Sequence, residues 1–97
     1  MPNYIILANW TDQGIRNVKD TIKRAKSYED AVEKAGGKFL GFYYTIGRYD
    51  MVSVVQAPTD EVIVSILFSL ESLGNVRSET LKAFSVAETA NIIEKSS

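Results

Sequence analysis

Asp50 is the residue in this chain with the clearest capacity for chemistry. It follows Gly47-Arg48-Tyr49 and leads into Met51-Val52-Ser53-Val54-Val55, a segment with the composition of a central strand. A carboxylate desolvated at such a position can act as a general base, and Tyr43 or Tyr44 would supply the acid. The catalytic candidates are therefore Asp50 and Tyr43. Around them the sequence offers material for a ligand site. Trp10, Tyr44 and Tyr49 would form apolar wall, and Asp12, Arg48, Arg77 and Glu79 would supply charge. The competing reading of Asp50 is purely structural: an ion pair with Arg77 or Arg48, or acceptance of a turn amide.

Composition removes most other chemistry. The 97 residues contain no His and no Cys. Imidazole bases, thiolate nucleophiles, disulfides, Fe–S clusters and His/Cys metal sites are all excluded. Only a carboxylate site for a hard cation would remain, and no spaced acidic loop is present, so no metal and no cofactor is expected. Gly36-Gly37 and Gly47 form neither a dinucleotide fingerprint nor a phosphate loop. Lys and Arg number 11 against 12 Asp and Glu. That balance speaks against nucleic acid and against an anionic membrane surface as partners. The chain lacks a basic, apolar leader, and Val62 to Leu70 is too short to span a bilayer. A cytoplasmic location is expected, with residues 1–97 as one domain.

The elements that must position these residues follow from periodicity. Tyr4 to Trp10 reads as a strand. Thr11-Asp12-Gln13-Gly14 is turn chemistry. Ile15, Val18, Ile22, Ala25, Tyr28, Val32 and Ala35 then fall at steps of three and four, which predicts one continuous helix ended by Gly36-Gly37. Lys38–Ile46 and Tyr49–Ala57 read as a hairpin with a two-residue type II′ loop at Gly47-Arg48. Thr59 or Asp60 caps a second helix whose stripe is Val62, Ile63, Ile66, Leu67, Leu70 and Leu73. Val76–Phe84 is the fourth strand. Ser85-Val86-Ala87-Glu88 has capping-box spacing and opens a terminal helix.

The order βαββαβ plus a helix predicts an α+β fold of ferredoxin-like type, with a four-stranded antiparallel sheet in order 4-1-3-2. Strands one and two end where helix one begins, so residues 9–13, 45–50 and 75–80 should cluster there. The strands are apolar on both faces. Simple alternation places Leu40, Phe42, Tyr44, Met51 and Val55 on one side of the hairpin and Phe39, Gly41, Tyr43, Val52 and Val54 on the other. Two helices cover one face. The second face predicts a homodimer or higher oligomer.

Asn9-Trp10-Thr11-Asp12-Gln13-Gly14-Ile15-Arg16, Gly41-Phe42-Tyr43-Tyr44-Thr45-Ile46-Gly47-Arg48-Tyr49-Asp50 and Leu73-Gly74-Asn75-Val76-Arg77-Ser78-Glu79-Thr80 resemble, in order, the motifs of GYD-domain proteins. The resemblance implies sheets packed face to face as a dimeric α+β barrel, and it brings no established reaction. The function expected is an oligomeric small-ligand-binding module with its site at the ends of strands one and two. The alternative is a cofactor-independent isomerase or monooxygenase-like enzyme acting on a small cyclic or aromatic acid.

Overall fold

The computed structural model describes residues 1–96. Strands β1 (Asn3–Trp10), β2 (Lys38–Tyr44), β3 (Met51–Gln56) and β4 (Val76–Ala83) form one sheet in the order β2-β3-β1-β4, with every pairing antiparallel. This is the 4-1-3-2 order read from the other edge. Helices α2 (Thr21–Lys34) and α3 (Asp60–Glu71) cover one face. Between them and the sheet lies the core of Tyr4, Ile6, Tyr28, Val32, Val55 and Ile63, with Phe39 and Phe42 packed against it. Among the described residues no helix is long and apolar enough to cross a membrane.

Three local expectations are corrected. The single helix predicted from Ile15 to Ala35 is broken into α1 (Asp12–Arg16), a 3-10 turn (Val18–Asp20) and α2. Ile15, Val18 and Ile22 are 49%, 38% and 67% exposed. Their periodicity is helical, but the sheet beneath is already covered from Tyr28 onward. The two-residue hairpin loop is also wider than predicted. β2 stops at Tyr44 and β3 starts at Met51, and the last closing bond runs from Thr45 N–H to Asp50 C=O at 2.8 Å. Gly47 does take a positive φ of 128°.

The third correction concerns the faces of β2. Register shifts between Phe39 and Gly41, so Phe39 pairs with Val55 while Gly41 pairs with Val54. Leu40 is the extra residue of a β-bulge, which resets the alternation. Phe39 therefore joins the helix-covered face, edge-on to Tyr28 at 5.2 Å, and Leu40 is 54% exposed.

The opposite face carries Ile5, Leu7, Val52, Val54 and Leu81, flanked by Tyr43 at 63% exposure. No helix of the described residues lies over it as α2 and α3 lie over the first. Helix α4 (Val86–Ser96) has the predicted capping box: Ser85 N–H donates to Glu88 Oε1 at 2.8 Å, and Glu88 N–H donates to Ser85 Oγ at 3.0 Å. Asn3 on the open face donates to the same Glu88 carboxylate at 3.1 Å. Beyond that anchor α4 buries none of its residues. The molecule measures 51 × 30 × 18 Å, and its radius of gyration is 14.6 Å. A compact chain near this length has about 13 Å.

Candidate functional site

The three polar segments converge at the end of the sheet, held by backbone and side-chain bonds. Thr11 caps α1, accepting from Gly14 N–H at 3.1 Å, and its hydroxyl donates to Gly74 C=O at 2.5 Å. Thr11 N–H donates to Asn75 C=O at 3.1 Å, and the Gln13 amide donates to Leu73 C=O at 2.9 Å. Gly14 lies so close to this loop that a Cβ there would stand 1.9 Å from the Asn75 oxygen. Residue 14 is glycine because backbone occupies the place of a side chain.

Asp50 sits on the open-face side of the chain. Its N–H donates to Ala8 C=O and to Asn9 Oδ1, both at 3.0 Å, and its carboxylate accepts from Trp10 N–H at 3.1 Å. Of the alternatives open from sequence, the amide partner is the one present. Arg77 faces Glu71 at 4.0 Å instead. Tyr43 lies two pairs along from Asp50, opposite Val52, and its ring leans over Gly41. Trp10 and Tyr44 stack with centroids 6.1 Å apart, and the Tyr44 hydroxyl lies 3.1 Å from that of Thr21. The Trp10 Nε1 is buried without a partner. Tyr49 donates to Glu79 at 3.3 Å. Asp12 and Arg48 are exposed. Among the described residues no group of three or more carboxylates converges as a metal site would require.

A cavity of about 210 Å³ opens at the same end of the fold but inside it, between the sheet and helices α2 and α3. Ile6, Ala8, Phe42, Met51, Leu67 and Leu70 form its apolar wall. None of the site residues named from sequence lines it. Its polar lining includes Tyr28 with Ser53, whose hydroxyls lie 2.9 Å apart, Glu71 with Ser78, whose hydroxyl donates to the carboxylate at 2.6 Å, and the charged residues Asp20, Lys23 and Arg24. Burial pushes the Tyr28 phenol up to about 12, against the smaller effect of the Ser53 bond. Sequence carried one signal for these groups: Ser53 occupies the phase of β3 that Met51 and Val55 spend in the core.

A ferredoxin-like α+β domain with one covered face, one open face and a cavity beneath its helices defines a class of small domains rather than an activity. The family model described as GYD domain matches residues 4–93, and the chain belongs to that family. A Thermus thermophilus protein named "Glutamine synthetase and cystathionine beta-lyase binding protein" is 32% identical over 89 residues, covering 91% of this chain and 94% of that one. The crystal structure of TTHA0845, also from Thermus thermophilus, superposes with a TM-score of 0.56 at 23% identity. It spans 89% of this chain and 96% of its own, and it shares the fold.

Proposed function

We propose that this protein is a binding module that works as a homodimer, with proteins as its targets. The observation that carries this reading is the open sheet face. Ile5, Leu7, Val52, Val54 and Leu81 share the face that α2 and α3 leave open; Leu81 is 44% exposed and the other four are part-buried. Contiguous apolar surface of this kind marks an interface. The occupant proposed is a second copy. Arg77 and Glu79 alternate along the β4 edge of the face, so a two-fold axis can set each opposite its complement. Helix α4, unseated in its own chain and tethered beside that face through Asn3, would pack on the partner. The relative named for binding two enzymes supports protein targets. We extend glutamine synthetase and cystathionine β-lyase to this chain as the partners to test.

The enzyme alternative draws less support, because the Asp50 carboxylate is engaged by the Trp10 amide rather than aimed at an acid partner. Light scattering at micromolar concentration is expected to give twice 10.8 kDa, and Leu7→Asp with Val54→Asp is expected to give 10.8 kDa with helix and sheet retained by circular dichroism. A wild-type monomer overturns the proposal.

A further inference from the structure

The cavity between the sheet and helices α2 and α3 has the size and the polar anchors of a small-molecule site. An engineered apolar cavity of about 150 Å³ takes benzene. At about 210 Å³, this one has room for a single ring bearing one short substituent. Its lining surface is mostly apolar, as in binding pockets generally.

The Tyr28–Ser53 pair has a proton to spare. Two hydroxyls carry two protons, and the bond between them uses one. Neither group makes another hydrogen bond among the described residues. Both are deeply buried, Ser53 at 2% and Tyr28 at 6% exposure. A buried O–H without an acceptor costs free energy, which a ligand acceptor or π-face would recover.

The second anchor is Glu71, at the C-terminal end of α3 and part-buried. Its Oε2 accepts from Ser78. Its Oε1 has only the Arg77 Nε at 4.0 Å, from a side chain that is 83% exposed. That separation exceeds a hydrogen bond, so the oxygen retains capacity for a donor.

We infer that this cavity binds a small primary amine with an aromatic or branched aliphatic body, the ammonium on Glu71 and the body against the apolar wall. Of the other charged residues that line the cavity, Asp20 and Lys23 are exposed, and the Arg24 guanidinium donates to the Asn17 and Gly14 carbonyls at 2.9 and 3.5 Å. Glu71 is the part-buried charge with an oxygen to spare, so an anion of the same size is disfavoured. The inference concerns the interior of one subunit, so it holds whether or not the open face dimerises, and the two readings fail separately.

The test is an amide NMR titration of the full chain with benzylamine, benzyl alcohol and benzoate, following Ala8, Ser53 and Leu67. Benzylamine is expected to shift these amides and to bind at least about tenfold more tightly than either of the others, as one charge-assisted hydrogen bond implies. Glu71→Gln is expected to bring the amine and the alcohol within roughly threefold of each other by removing that bond. Ala25→Leu, which fills the cavity from α2, is expected to abolish binding of all three. If that variant does not fold, the Glu71→Gln comparison decides. The inference is overturned if benzylamine leaves the lining amides of wild type unmoved, if it binds no better than the alcohol or benzoate, or if its advantage survives Glu71→Gln.

Discussion

Asp50 takes its bonds from both neighbouring segments: its N–H goes to Ala8 and Asn9, and its carboxylate accepts from Trp10. A carboxylate whose partner is a backbone amide can be replaced by another carbonyl oxygen. Asp50→Asn is therefore expected to cost under about 1 kcal/mol, whereas Asp50→Ala strands the Trp10 amide and costs about 2 kcal/mol. Urea melts of the two variants check this, and equal losses would contradict it. A second residue-scale expectation concerns pH. Burial, with the hydrogen bond from its hydroxyl to Asp60 at 2.5 Å adding to it, pushes Tyr4 up to about 12. Tyr28 is pushed to about 12 by burial. Folding favours the protonated phenols. Their contribution is thus complete below the unfolded value near 10 and lost as pH rises to about 12. Spectrophotometric titration should show Tyr4 and Tyr28 ionising late, and stability should fall across that window. Asp60 behaves oppositely. The Tyr4 hydrogen bond, then Lys82, hold its carboxyl below the usual range, so its contribution is present at neutral pH and lost as acid protonates it.

At the scale of elements, the segment after β1 is governed by one contact. α1 begins against the Gly74-Asn75 loop, with Thr11 bonded to both of those residues. Gly14→Ala would drive a methyl carbon to 1.9 Å from the Asn75 oxygen, where only backbone can yield. The expected loss is about 3 kcal/mol, at the upper end of overpacking costs, and thermal denaturation measures it. The same contact explains why a sequence with unbroken helical periodicity contains two helices. The first turn is spent docking the chain to the β4 entrance, and the 3-10 turn at Val18–Asp20 redirects it before α2 crosses the sheet. The bulge at Leu40 has a comparable effect on β2. It turns Phe39 inward to meet Tyr28 and Phe42.

At the scale of the molecule, the unequal treatment of the two sheet faces dominates. Among the described residues, one face receives two helices, while the other receives the tether between Asn3 and Glu88. Ending the chain after Phe84 removes a helix none of whose residues is buried. The truncated chain is therefore expected to keep its fold by circular dichroism and to associate at least about tenfold more weakly by analytical ultracentrifugation, because the proposed seat of α4 is the partner. Unchanged association would place α4 outside the interface.

Local chemistry was enough to determine the order of elements, the 4-1-3-2 sheet, the cap at Ser85, a cap at Thr59 or Asp60 that the fold assigns to Thr59, and the gathering of residues 9–13, 45–50 and 75–80 at one end. These depend on side-chain periodicity, capping and crossover handedness, which act over a few residues or follow from topology alone. Several features depend on which backbone lies beside which. They are the break after α1, the wider hairpin loop, the face of Phe39 and the partner of Asp50. The cavity belongs with them. A bulge is invisible in composition because it changes register and leaves propensity unaltered. A void is the space that α2, α3 and the sheet leave unfilled when their side chains meet, so Glu71, Ser78, Tyr28 and Ser53 become neighbours only after the chain has folded.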